Sequence, residues 1–132
     1  MNSTLIEQLG DELYGALTAC QVLDPLSSRH PDITIEDAYA IQQRLIARRL
    51  DAGERVVGKK IGVTSQAVMN MLGVFQPDFG ILLDGMVYNE GQPIEARTLI
   101  QPKAEGEIAF VLKKDLMGPG VTAADVMAAT EG

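Results

Sequence analysis

Leu5, Leu9, Leu13, Ala16, Leu17 and Cys20 recur at intervals of three and four residues with polar positions on the other side. Residues at that spacing share one face of a helix, so the pattern predicts an amphipathic helix from about Leu5 to Val22. Thr4 and Glu7 have the spacing of a capping box at its start. Pro25, Ser27, Ser28 and Pro31 predict a loop across 23–33. A second helix opens at Thr34-Ile35-Glu36-Asp37. Ala38, Ile41, Leu45 and Ile46 form its apolar face, and Gly53 is its stop. Arg44, Arg48 and Arg49 lie toward its end, where cations complement the helix dipole.

Past Gly53 the period changes. Val56 to Val63 is strand-like, and Ser65 to Leu72 reads as a short helix closed by Gly73. Gly80 to Tyr88 is apolar, with Asp84-Gly85 suited to a tight hairpin turn. Asn89-Glu90-Gly91 is a turn. Lys103 to Lys114 alternates as a long strand, expected to be central, with Ile108, Phe110 and Leu112 on its buried face. Gly118-Pro119-Gly120 breaks it, and Thr122-Ala123-Ala124-Asp125 starts a further capped helix. The reading is an N-terminal helical region, 1–55, followed by a mostly β region, 56–132. Strands and helices do not alternate, which favours an α+β fold over a doubly wound sheet.

Composition narrows the function. The 132 residues are 46% hydrophobic and 22% charged, enough apolar material for a core. The net charge of -7 gives no basic footprint for nucleic acid. No apolar run approaches the ~20 residues of a membrane span, and the N-terminal residues lack the pattern of a secretory signal. The single cysteine, Cys20, falls on the apolar side of the first predicted helix and reads as a small core residue. A reducing cytoplasm fits it. His30, the only histidine, has no second imidazole to share a metal with and reads as an exposed loop residue.

Three stretches can carry chemistry. In Glu105-Gly106-Glu107 the two carboxylates share one face of the predicted strand, ~6.5 Å apart at Cα. Two such charges at ~4 Å repel by about 4 kcal/mol at an effective dielectric of 20. A divalent cation removes that repulsion, and a solvated strand end is the alternative. In Gly58-Lys59-Lys60-Ile61-Gly62-Val63-Thr64-Ser65, Lys60 shares its face with two glycines, while Lys59 lies between Val57 and Ile61. A confined lysine can serve in proton transfer; a surface pair with glycines for strand bending is the other reading. Thr64 or Ser65 caps the following helix, and its free N–H groups suit an anion such as a substrate carboxylate. Asp78, in Gln76-Pro77-Asp78-Phe79-Gly80, is either a turn residue or a catalytic carboxylate.

GKKIGVTS (58–65), QPDFG (76–80) and PKAEGEIAFVL (102–112), in this order and at these separations, resemble the 2-keto-4-pentenoate hydratases of the fumarylacetoacetate-hydrolase-like superfamily. The stretch up to Arg55 also resembles their helical region. The resemblance implies a mixed β roll, of which 56–132 is the first part. It implies magnesium or manganese and the addition of water to 2-hydroxypenta-2,4-dienoate in the catabolism of aromatic compounds. By resemblance Glu105 and Glu107 are metal ligands, and Lys60 and Asp78 are acid–base residues. Thr64 and Ser65 are expected at the substrate carboxylate. Members are about twice as long, so a third acidic ligand is expected beyond Gly132, and the 132 residues alone are expected to be an incomplete enzyme. Assembly as a homo-oligomer, or with a related decarboxylase or hydratase, is a further implication. A related reading is 4-oxalocrotonate decarboxylase; another is a non-catalytic assembly partner of such enzymes.

Overall fold

The Asn2 side chain accepts a hydrogen bond from the Leu5 N–H, 2.8 Å, and starts helix α1, Ser3–Thr18. The cap is therefore Asn2 and not Thr4, which lies inside the first turn. The helix also stops earlier than its apolar stripe suggests. Ala19 ends it, Cys20 turns left-handed at φ 53°, and the Cys20 and Gln21 N–H groups bond back to Leu17 and Ala16 carbonyls. These two bonds satisfy carbonyls that a helix end leaves open. Cys20 consequently sits beyond the helix, half-buried, with its thiol 3.4 Å from the Leu99 carbonyl.

The computed structural model describes all 132 residues and divides into two compact units, residues 1–101 and 102–132. In the first, a short helix α2, Leu26–Arg29, interrupts the predicted loop, and His30 caps its end. Helix α3, Ile35–Asp51, opens on a full capping box between Thr34 and Asp37 and ends at Ala52 and Gly53, the latter at φ 101°. Helices α1 and α3 pack together, burying Leu9, Ile41 and Ile46. Gly10 permits the approach: a Cβ there would lie 2.5 Å from Arg44 Cβ. Arg44 also grips Asp11 through two bonds of 2.8 Å, and Arg48 lies over the Tyr14 ring. The late-helix arginines thus join elements, and Arg49 pairs with Glu54.

Strand β1, Val56–Gly62, is followed by helix α4, Gln66–Leu72, and strand β2, Asp78–Leu83. The strands pair antiparallel, with a register shift between Val56 and Gly58. Asp84-Gly85 is not a hairpin turn, because β2 pairs back to β1 and no strand follows it directly. The segment is a 3₁₀ turn, Asp84–Met86. The Asp84 carboxylate accepts from the Arg55 and Gly85 N–H groups at 3.0 Å each. Those bonds, Arg55's first, hold its carboxyl below the usual carboxylate range.

The second unit departs from the sequence reading. Residues 103–111 form no strand, and only Leu112 bridges to Thr130. Ile108, Phe110 and Leu112 are 85%, 57% and 45% exposed rather than buried. A strand needs a backbone neighbour and its apolar face needs a second layer. Here the backbone bonds reach only 111–113, from 129–132. The expected central strand is therefore an open segment. The predicted C-terminal helix is present as α5, Ala123–Ala129, capped by the Thr122–Asp125 box. Helices with a small antiparallel sheet make the chain α+β. No helix is long and apolar enough to cross a membrane.

Candidate functional site

In the β1–β2 ladder Lys60 lies opposite Gly80, and Gly62 lies opposite Asp78. Alternate strand residues share a face. Lys60 and Asp78 are therefore diagonal neighbours on one face, with two glycines at the other corners. Both glycines matter. A Cβ on Gly80 would lie 2.9 Å from Lys60 Cγ, so the lysine stem runs over a bare backbone. A Cβ on Gly62 would collide with the Asp78 carboxylate and stand 3.1 Å from Lys60 Nζ. The lysine and aspartate side-chain ends thus both lie over Gly62, with no ion pair joining them. Both residues are exposed. Lys59 pairs with Ile81 on the opposite face, beside Ile61 and Phe79.

Helix α3 holds this ladder from its free edge. β2 has a strand on one side only, so its outward backbone groups need other partners. The Phe79 N–H donates to the Tyr39 hydroxyl at 3.1 Å, and Gln42 Nε2 donates to the Phe79 carbonyl at 3.3 Å. The Tyr39 and Phe79 rings sit 6.5 Å apart, tilted by 41°. A mainly apolar cavity of about 610 Å³ lies between α3 and the ladder, lined by 59–61, 79–81 and Tyr39, Gln42 and Gln43. The helical period gives no sign of this role for Tyr39 and Gln42. Their partner lies about 40 residues away in sequence, at Phe79.

Ladder and α4 are joined by a sharp bend. Val63 is left-handed at φ 55°. Thr64 follows, exposed, and Ser65 caps α4 by accepting from the Val68 N–H at 3.3 Å. Of the two residues expected near a substrate carboxylate, Ser65 is the one spent on the cap.

Glu105 and Glu107 belong to the second unit and are exposed. Because no strand forms there, the structure gives them no common strand face. Gly106 between them has open space where a side chain would be. By donor type the pair fits a hard divalent cation, which takes carboxylate oxygens together with water and substrate. No group of three or more His, Cys, Asp or Glu side chains is gathered in the chain.

The chain is 67% identical over 133 residues to a 2-hydroxypent-2,4-dienoate hydratase of Pseudomonas putida, covering 99% of this chain and 60% of that protein. It is 57% identical to a 2-hydroxyhexa-2,4-dienoate hydratase of Comamonas testosteroni, covering 96% of this chain and 48% of the relative. A 2-keto-4-pentenoate hydratase of Paraburkholderia xenovorans is 42% identical over 125 residues. Among solved structures, 4-oxalocrotonate decarboxylase from Pseudomonas putida G7, complexed with magnesium and adipate, superposes with a TM-score of 0.91 at 32% identity. That match covers 98% of this chain and 49% of the decarboxylase. The same enzyme complexed with calcium and acetate matches equally. No family model matches the chain. The chain spans about half the length of most of these relatives.

Proposed function

We propose that this chain, homologous to the N-terminal portion of the 2-keto-4-pentenoate hydratases, supplies the acid–base part of a metal-dependent hydratase. The reaction is addition of water to 2-hydroxypenta-2,4-dienoate, giving 4-hydroxy-2-oxopentanoate. The observation that carries this reading is the placement of Lys60 and Asp78 on one ladder face, both over Gly62. The 67% identity to a 2-hydroxypent-2,4-dienoate hydratase supports this choice of substrate.

Converting the dienol into the product moves protons. The 2-hydroxyl loses one and C5 gains one, which leaves C4 electrophilic. Water oxygen then bonds to C4, and C3 takes a proton. Lys60 and Asp78 are a donor and an acceptor set side by side for such transfers, and positioned groups of this kind typically contribute 10²–10⁴-fold. Thr64 and the Ser65 turn would bind the substrate carboxylate. Glu105 and Glu107 would hold the divalent cation, magnesium or manganese. When bound, that ion supplies charge stabilisation at the oxygen on C2. Residues 1–55 are then the helical region, and 56–132 the first part of the β-roll catalytic domain. We place the enzyme in the cytoplasm, in aromatic catabolism, as a homo-oligomer or in assembly with a related decarboxylase or hydratase.

The fold match to 4-oxalocrotonate decarboxylase supports a second reading. Both reactions stabilise a dienolate, and they differ in the group that adds or leaves. A chimera decides between them. Residues 1–132 replace the matching part of the 67%-identical hydratase, and the fusion is given each substrate with magnesium. Hydration of the pentadienoate without carbon dioxide release from 2-oxohex-3-enedioate is the expected result. A folded chimera that releases carbon dioxide and hydrates nothing would overturn the hydratase reading.

A further inference from the structure

We infer that Tyr39 and Gln42 are positioning residues that hold the Asp78 carboxylate over Gly62, on the ladder face that carries Lys60. The inference deepens the reading above, since it takes Lys60 and Asp78 as the working pair, but its test needs no turnover.

The Phe79 N–H belongs to the peptide bond that leaves Asp78. Tyr39 therefore fixes the plane of the peptide attached to the Asp78 Cα, through a 3.1 Å bond. Gln42 fixes the next peptide through the Phe79 carbonyl, at 3.3 Å. On the other side, β1 pairs Gly62 with Asp78. Asp78 lies at the first position of its strand, where a ladder end frays most readily. Two bonds from a helix, next to that end, oppose the fraying. The helix is itself fixed: its start is capped by Thr34 and Asp37, and Arg44 ties it to Asp11 of α1. The path is continuous from the helical pair to Tyr39, to the Phe79 peptide, to the carboxylate over Gly62. A Tyr39 serving only to fill space would need its ring and not its hydroxyl.

Tyr39→Phe keeps the ring and removes the acceptor; Gln42→Met keeps the length and removes the donor. Leu9→Ala is the control, because it loosens the α1–α3 core without touching Phe79. Nuclear magnetic resonance on the 132-residue chain reads two quantities. One is exchange of the Phe79 amide proton. The other is cross-relaxation from the Gly62 α-protons to the Asp78 and Lys60 side chains. In Tyr39→Phe, Phe79 exchange should quicken about 2- to 10-fold, the range of one ordinary hydrogen bond. The Gly62–Asp78 cross-peak should weaken, and Gln42→Met should weaken it in the same direction. Leu9→Ala should leave that cross-peak in place. An unchanged Gly62–Asp78 cross-peak in both hydroxyl and amide variants overturns the inference. So does an equal loss in Leu9→Ala, which would reduce the effect to general loosening. If Tyr39→Phe does not fold, Gln42→Met against Leu9→Ala decides alone. A chimera inactive as a hydratase, with these spectral effects intact, would sink the functional reading and leave the positioning in place.

Discussion

Val63 adopts φ 55°, a left-handed backbone that a β-branched residue rarely takes. For a non-glycine residue that conformation costs roughly 1–2 kcal/mol. Glycine would relieve the strain but loses more freedom on folding, by roughly 0.5–1 kcal/mol. The two nearly offset each other, so Val63→Gly should stay within about 1 kcal/mol of wild type in denaturant unfolding. A loss much above that would mean the half-buried valine side chain outweighs the strain. At the same scale, the face-sharing of Lys60 with its glycines was legible, because strand alternation is strict over a short run. The Val63 bend was not: β-branched residues read as extended, and only tertiary context holds one left-handed. Glu105 and Glu107 were legible as a carboxylate pair by chemistry. Their geometry was not, because alternation means nothing without a ladder. Calorimetry with magnesium should show weak binding to the 132-residue chain that Glu107→Gln reduces, since two carboxylates leave a loose shell. Identical binding by both proteins would remove Glu107 from the site.

With the β1–β2 ladder, the α1–α3 pair is one of two packed element pairs in the first unit. Its apolar stripes and the Thr34 box were readable from period and spacing, but the end of α1 was not. Leu17 and Cys20 continue the stripe in sequence while the chain turns away at Ala19. At Gly10 the helices approach too closely to admit a Cβ without a shift. Gly10→Ala would gain up to about 1 kcal/mol in helix propensity. It would lose about 1–3 kcal/mol to overpacking against Arg44 and Ile41. A lowered thermal midpoint is the expected outcome, and a raised one would show that the helices can separate at no cost. The Asp11–Arg44 link adds a dependence on pH. The Arg44 hydrogen bonds hold the Asp11 carboxyl below the usual carboxylate range. In the folded chain it therefore stays ionised at acidities where the unfolded chain already binds a proton. Its contribution is complete above about pH 4 and is lost as pH falls through the lowered value. Asp11→Asn should flatten that part of the acid limb of thermal stability. An acid limb unchanged by the substitution would show that other carboxylates govern it.

Across the whole molecule, the two units differ in how well pattern predicted structure. In residues 1–101 the facing stripes of α1 and α3 and the end of β2 find partners, as Ile41 and Leu83 show by their burial, while Ile61, Met71 and Phe75 stay exposed. In 102–132 a strand pattern is present and most of its partners are not. Ile108 and Phe110 are thus apolar and exposed at once, which no local rule could have foreseen. The chain spans about half the length of most of the relatives it matches. On the proposed reading this portion carries the acid–base pair of a hydratase, with Lys60 and not Lys59 on the face of Asp78. The deciding measurement is turnover of 2-hydroxypenta-2,4-dienoate by the chimera, with Lys60→Ala and Lys59→Ala compared side by side. Lys60→Ala should lower turnover by about 10²–10⁴-fold with magnesium binding kept, while Lys59→Ala should change it little. Equal losses, or a loss at Lys59 alone, would rule out Lys60 as the acid–base lysine.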